Sequence, residues 1–379
     1  MPAHLPNPSP EALAHSEAVI RRIRDEIEGA GGWIPFTRYM ELALYAPGLG
    51  YYAGGAAKFG GAGDFITAPE LTPLFGRTLA RVAAEALVQA GGDILELGAG
   101  SGRLAVDVLL ELEQMEHLPE RYLILEVSPD LRQRQRNVLA EHASHLLARV
   151  DWLDVLPDKL RGVVLANEVL DALPVHLVHW TGEGVMERGV SWSGNGFAWM
   201  DRPIPSSALD VAVARLPVSA PYLTEVSLAA AALIASLAAC LEWGLMLLPD
   251  YGFSRAEYYH AQRHQGTLKV HYRHHSLDDP FFLPGLADIT AHVDFTAISE
   301  AAEMAGMDLL GYASQGRFLL DGGLLDLMTA MTPGTPDYIR SALAVQKLVQ
   351  PHEMGELFKV MALGRGIKPP SACRRMDRL

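Results

Sequence analysis

The run Asp93-Ile94-Leu95-Glu96-Leu97 passes directly into Gly98-Ala99-Gly100-Ser101-Gly102 and then into a stretch with helical periodicity. Glycine has two uses in such a strand-to-helix turn. It adopts positive φ without strain, and it lets a ligand approach backbone that any Cβ would shield. The spacing here is G-x-G-x-G, with Arg103 at the place where a dinucleotide fingerprint carries its last glycine. Glu96, two residues before the first glycine, would repel a pyrophosphate and attract a cation. Charge and spacing together therefore disfavour nicotinamide and flavin dinucleotides.

A second apolar run closes in Leu125-Glu126-Val127-Ser128, and a carboxylate at that strand end can accept both hydroxyls of a ribose. Taken singly, Glu96 could serve a helix dipole and Glu126 could be a solvated strand end. In this order, with the glycines between them, they describe a site for a nucleoside that carries positive charge. S-adenosylmethionine combines both properties, and Glu96, Gly98, Ala99, Gly100, Gly102, Glu126 and Val127 are its expected contacts. Trp152 ends a third run and Asp154 follows it, either to hold adenine by stacking and a hydrogen bond or as an ordinary tryptophan at the core edge. His271, His274, His275 and Asp278 lie close together but lack the ligand spacing of a metal site. No metal is expected, and these histidines are read as substrate-lining or surface residues.

The elements that must position these residues follow from periodicity. Residues 11–30 read as a helix stopped by Gly31-Gly32, and the aromatic segment 33–40 reads as a loop. Pro47 to Gly63 contains seven glycines and is expected to be irregular, before a helix over 72–90. Strands are expected at 94–97, 122–127, 149–152, 163–166, 245–248, 308–312 and 358–363. Helices are expected at 104–115, 131–142, 225–241 and 295–305, with two more before the last strand. Trp180, Trp192, Phe197 and Trp199, set among glycines, suggest hairpins over 177–202. Alternation of this kind implies a parallel sheet. The expected fold class is α/β, a doubly wound seven-stranded Rossmann-like methyltransferase sheet whose last strand inserts antiparallel. Its expected division is an N-terminal helical segment and glycine-rich loop over 1–90, then a domain over 91–379 with insertions at about 176–222 and 254–294.

Composition narrows the partners. The 379 residues carry 31 Lys and Arg against 45 Asp and Glu, a formal net charge of −14, and basic residues cluster only at Arg374 to Arg378. Nucleic acid is therefore not the expected partner. Two cysteines make neither a disulfide framework nor a zinc site, and the N-terminus shows no export or transit pattern, so a cytoplasmic protein is expected. The longest apolar run, Leu228 to Leu241, is too short for a membrane span and reads as a buried helix. Oligomeric state is not legible.

Further motifs extend the pattern over most of the chain. They are Gly63-Asp64-Phe65-Ile66-Thr67-Ala68-Pro69-Glu70, Ala166-Asn167-Glu168-Val169-Leu170-Asp171-Ala172-Leu173-Pro174, Asp250-Tyr251-Gly252-Phe253, His271-Tyr272-Arg273 and Asp288-Ile289-Thr290-Ala291-His292-Val293-Asp294-Phe295. With them the sequence resembles the MidA-type methyltransferases, relatives of the mitochondrial complex I assembly factor that methylates a protein arginine. The resemblance implies the seven-strand fold, S-adenosylmethionine as donor, and a protein arginine acceptor in a respiratory-chain subunit, specifically of the NADH dehydrogenase. The absence of a presequence makes the chain look like a bacterial relative.

Methyl transfer needs alignment and exclusion of water rather than a metal. A guanidinium acceptor stays charged at neutral pH, so carboxylates must orient it and take its proton. In this fold the end of the fourth strand borders the methyl, which makes Glu168, Asp171 and Asn167 the expected catalytic residues. The alternative is that Asn167 caps a following helix, Glu168 favours its dipole and Asp171 is solvated. Residues 63–70 are expected to fold over the cofactor, with Asp64 catalytic and Thr67, Pro69 and Glu70 in contact with the cofactor. Tyr52, Phe65, His271, Tyr272, His292 and Asp294 are expected to line the substrate, although His292 and Asp294 could equally cap the helix after them. The competing function is a non-catalytic assembly factor that binds S-adenosylmethionine without transferring the methyl.

Overall fold

In the computed structural model, which describes residues 5–54, 67–194, 196–375 and 379, the apolar runs pair as parallel strands. They are β1 (Asp93–Leu97), β2 (Tyr122–Leu125), β3 (Val150–Leu153), β4 (Leu160–Ala166) and β5 (Leu241–Phe253), joined by β6 (Asp308–Ser314) and β7 (Phe358–Arg365). Their order is β3-β2-β1-β4-β5-β7-β6. β7 runs antiparallel to both of its neighbours. The doubly wound sheet expected from the alternation forms with these seven strands, and the two-residue strand Val293–Asp294 adds a short eighth, parallel to the end of β5. β1 is buried at every position, as a parallel strand covered by helices on both faces must be.

Helix Pro73–Ala90 starts at Thr72, whose hydroxyl accepts from Leu74 N at 3.3 Å. It packs with helix Arg103–Gln114 on one face of the sheet, where Phe75, Leu79, Ala83, Leu104 and Val108 meet Ile94, Val163, Leu165, Leu245 and Leu247. Residues 66–170, 232–254 and 293–379 make up this sheet unit.

Residues 1–65, 171–231 and 255–292 make up a second unit. Its first helix, Pro10–Gly29, buries Val19, Ile23 and Ile27 at a spacing of four. The aromatic segment read as a loop instead starts a helix, Phe36–Tyr45. Pro35 stands just outside its first residue and so does not interrupt it. The helix buries Phe36, Tyr39, Met40, Ala43 and Leu44, a spacing that eight aromatic-rich residues were too few to display. The expected hairpins form from His176–Thr181, Gly184–Ser193 and Gly196–Pro203. The helix expected from Glu225 begins only at Leu228, because Tyr222–Val226 is claimed by antiparallel pairing with His176–Thr181. A smaller sheet joins Lys269–Tyr272 to His275–Leu277 and Asp288–Thr290. Among the described residues no helix is long and apolar enough to cross a membrane.

Tyr39 is fully buried at the centre of this unit's aromatic cluster, against Phe36, Phe197 and Phe281 at centroid distances of 5.7, 5.4 and 5.3 Å. Its hydroxyl donates to Pro280 O at 2.7 Å. Tyr39→Ala is expected to destabilise the protein by about 3–5 kcal/mol, and Tyr39→Phe by about 1 kcal/mol. Urea unfolding of the two variants checks this, and equal costs would show that the ring contributes nothing beyond its hydroxyl.

Candidate active site

The sheet register sets the site. Leu97 lies opposite Leu125 on one side and Ala166 on the other. Three chains therefore leave the sheet at one level, through Gly98, Glu126 and Asn167. Gly98 and Gly100 adopt φ of 61° and 52°. A Cβ on Gly98 would stand 3.3 Å from Val169 Cγ2. The bare backbone of this turn is a cradle of the kind a cofactor needs.

Glu96, at 2% exposure, accepts from the Tyr122 hydroxyl at 2.7 Å. Burial raises its pKa to about 7, with Tyr122 opposing and the nearby Glu126 reinforcing the shift. A buried carboxyl so poised is stabilised by any cation placed against it. Glu126 is also buried, and its pKa is raised by that burial although several hydrogen bonds oppose the shift. It accepts from Ser128 N at 2.9 Å and from Gln135 Nε2 at 3.1 Å. Val127 beside it is exposed.

Two residues that sequence reasoning missed organise this rim. Gln135, fully buried on helix Pro129–His142, reaches Glu126, Gly100 O and the indole of Trp152. Arg132 bonds Glu126 O, Leu153 O and Asp154, tying the ends of β2 and β3 together. In sequence both lie in the polar run Arg132-Gln133-Arg134-Gln135-Arg136, which reads as a solvated face. Arg136 covers one face of Trp152 at 4.6 Å, and the ring packs against the main core. Asp154 is largely exposed and paired with Arg132. Glu70, on the short helix Ala68–Leu71 that follows Thr67 and includes buried Pro69, accepts from Ser101 of the glycine turn.

No helix follows β4. Residues 167–175 are irregular, so Asn167 caps nothing and Glu168 meets no dipole there. Glu168 adopts φ of 52°, a left-handed conformation uncommon for a residue with a side chain. Its N–H donates to Pro249 O at 2.9 Å, and Asn167 Nδ2 donates to its carboxylate at 3.1 Å. Asp250, fully buried at the end of β5, accepts from Leu170 N at 2.9 Å and from Tyr251 N at 2.8 Å. The end of β5 thereby fixes the irregular turn after β4.

The remaining expected residues belong to the second unit, or cap a helix. Asp171 is buried, and its carbonyl accepts from Ala291 N at 3.0 Å. Tyr52 donates to both carboxylate oxygens of Asp288 at 3.0 Å. His271 pairs with Asp288 across the small sheet. Tyr272 is buried edge-on against Phe282. His292 N donates to Thr267 Oγ1 at 3.0 Å, and burial, with Arg263 and Lys269 adding to it, lowers the imidazole pKa to about 4. Asp294, in the sheet unit, caps helix Phe295–Met304 through bonds from Thr296 N and Ala297 N. Asp64 and Phe65 lie outside the described residues.

Residues 75–313 match the family of S-adenosyl-L-methionine-dependent methyltransferases. The chain belongs to that family. It is 31% identical over 96% of its length, and 89% of the relative's, to the mitochondrial homologue of the protein arginine methyltransferase NDUFAF7 from Drosophila melanogaster. It is 27% identical over 91% of its length, and 83% of the relative's, to the mitochondrial protein arginine methyltransferase NDUFAF7 of Homo sapiens. A crystal structure from Burkholderia thailandensis, bound to S-adenosyl-homocysteine, shares 49% identity over 99% of both chains with a TM-score of 0.96. The enzyme's cofactor is accordingly S-adenosylmethionine, and the competing dinucleotide reading falls away. The cytoplasmic expectation is overturned, because these curated relatives are named as mitochondrial proteins. A low cysteine count reports a reducing surrounding and cannot tell one such compartment from another.

Two outcomes follow for the methyltransferase. Glu96, in its expected role, would attract the cofactor's cationic end only when ionised. Affinity for S-adenosylmethionine is therefore expected to rise with pH up to about 7, by as much as about tenfold per unit, and to level off above it. Glu96 ionises less readily folded than unfolded, so the stability it contributes to the free protein is present at low pH and lost as pH rises through about 7. Titration calorimetry from pH 5.5 to 8.5 measures the affinity, and a profile unchanged in Glu96→Gln would remove Glu96 from the site. Gly98→Val is expected to abolish cofactor binding while the fold survives. Normal affinity in that variant would place the cofactor elsewhere.

Proposed function

We propose that this methyltransferase modifies an arginine side chain of a protein. The observation that carries the reading is likeness over nearly the whole chain to enzymes named protein arginine methyltransferases. The irregular turn after β4 supports it, since it offers Glu168 at the rim where Gly98 and Glu126 also leave the sheet.

S-adenosylmethionine, when bound, supplies an electrophilic methyl group on a sulfonium. The chain's own residues must then hold the acceptor and handle its proton. In this reading Glu96 faces the methionine moiety, the backbone of Gly98 to Gly102 contacts the cofactor, and Glu126 takes the ribose hydroxyls. Val127 and Trp152 border the adenine. Glu168 orients the guanidinium and accepts the proton released as the nitrogen is methylated, with Asn167 holding its carboxylate. The left-handed backbone of Glu168 fits this role, because strained residues gather where a side chain must be aimed.

Glu168→Gln is expected to bind S-adenosylmethionine with unchanged affinity and to lose turnover by at least about a hundredfold. The assay is mass spectrometry of methyl-arginine gained by proteins of a lysate from cells lacking the enzyme. Turnover at the normal rate would end the assignment of Glu168, and methylation confined to another residue type would end the arginine reading.

A further inference from the structure

We propose that Gln135 is a positioning residue for the cofactor, one that orients Glu126 toward the ribose by joining three separate elements through a single amide. The proposal rests on the reading that Glu126 binds the ribose hydroxyls.

Helix Pro129–His142 is strongly polar, and Leu139 is its only other fully buried residue besides Gln135. Gln135 itself has no exposed surface. Leucine or methionine would fill such a place without burying an amide, so the amide is kept for its bonds. Its NH2 group donates to Glu126 Oε2 and to Gly100 O, each at 3.1 Å. Its carbonyl accepts from Trp152 Nε1 at 2.9 Å. The indole can only donate, and Gly100 O and the carboxylate can only accept, so the orientation of the amide is settled by its partners. The helix also seats closely on the glycine turn, since a Cβ on Gly102 would lie 3.1 Å from Gln135 Cα.

These bonds have a consequence for Glu126. One carboxylate oxygen is held by Ser128 N and the other by Gln135. With the backbone N–H of Val127 also bonding the carboxylate, Gln135 supplies the anchor on Oε2 that fixes its plane. Without Gln135 the carboxylate would lose its one side-chain anchor and be left to the backbone N–H groups of Val127 and Ser128.

The test pairs variants with two ligands, S-adenosylhomocysteine and its 2′-deoxy counterpart, using titration calorimetry on the full chain. Gln135→Leu is expected to weaken S-adenosylhomocysteine by about tenfold and the deoxy ligand by much less, because the hydroxyl that needs an oriented Glu126 is missing from it. Gln135→Glu keeps the size and sets a second carboxylate against Glu126. It is expected to give the same ligand-selective loss and serves where the leucine variant does not fold. Equal losses for both ligands would make Gln135 merely structural, and no loss would remove it from the site. Glu126→Gln is measured in parallel. If it fails to discriminate between the ligands, the ribose reading falls, and the role proposed for Gln135 falls with it.

Discussion

The chain's chemistry depends on the register of β1 between its two parallel neighbours. Because Leu97 is level with Leu125 and with Ala166, the residues after those three positions emerge side by side. A slip of one residue in β2 or β4 would turn every side chain of that strand to the opposite face. Glu126 or Asn167 would then point away from the glycine turn. The register is held by unbroken burial along β1 and by the helices Pro73–Ala90 and Arg103–Gln114 packed over it. Catalytic geometry here is an outcome of core packing.

Around that rim the protein keeps carboxyl groups in places that disfavour their ionisation. Glu96 and Glu126 are both raised by burial, and Glu126 adds to the cost of charging Glu96. An isolated protein gains nothing from such an arrangement. In the proposed reading, a ligand with a positive group at one end and hydroxyl donors at the other satisfies it, and unfavourable electrostatics become a preference for one kind of cofactor.

How far the sequence could be read varied with the kind of signal. The sheet, the glycine turn, Glu96 and Glu126 were legible because apolar runs, glycine spacing and strand-end carboxylates leave local patterns. Gln135 and Arg132 were not. Their importance comes from partners distant in sequence, and a buried polar residue in a polar helix looks like a solvated one. The path of the turn after β4 was hidden for a related reason. Asn167-Glu168 looks like the start of a helix, and only the bonds from Glu168 N to Pro249 O and from Leu170 N to Asp250 show that the chain is held in an irregular path. In the second unit, the helix Phe36–Tyr45 was hidden by a proline that stands at its doorstep rather than within it.

The left-handed backbone at Glu168 carries a consequence for anyone reshaping this enzyme. Glycine would occupy that conformation freely, whereas a residue with a side chain strains to hold it by about 1–2 kcal/mol. Selection for heat resistance alone would therefore favour erasing the carboxylate. Under the role proposed for Glu168, a library screened only for survival on heating would enrich sturdier proteins that have lost their chemistry, and robustness and activity would have to be selected together at position 168.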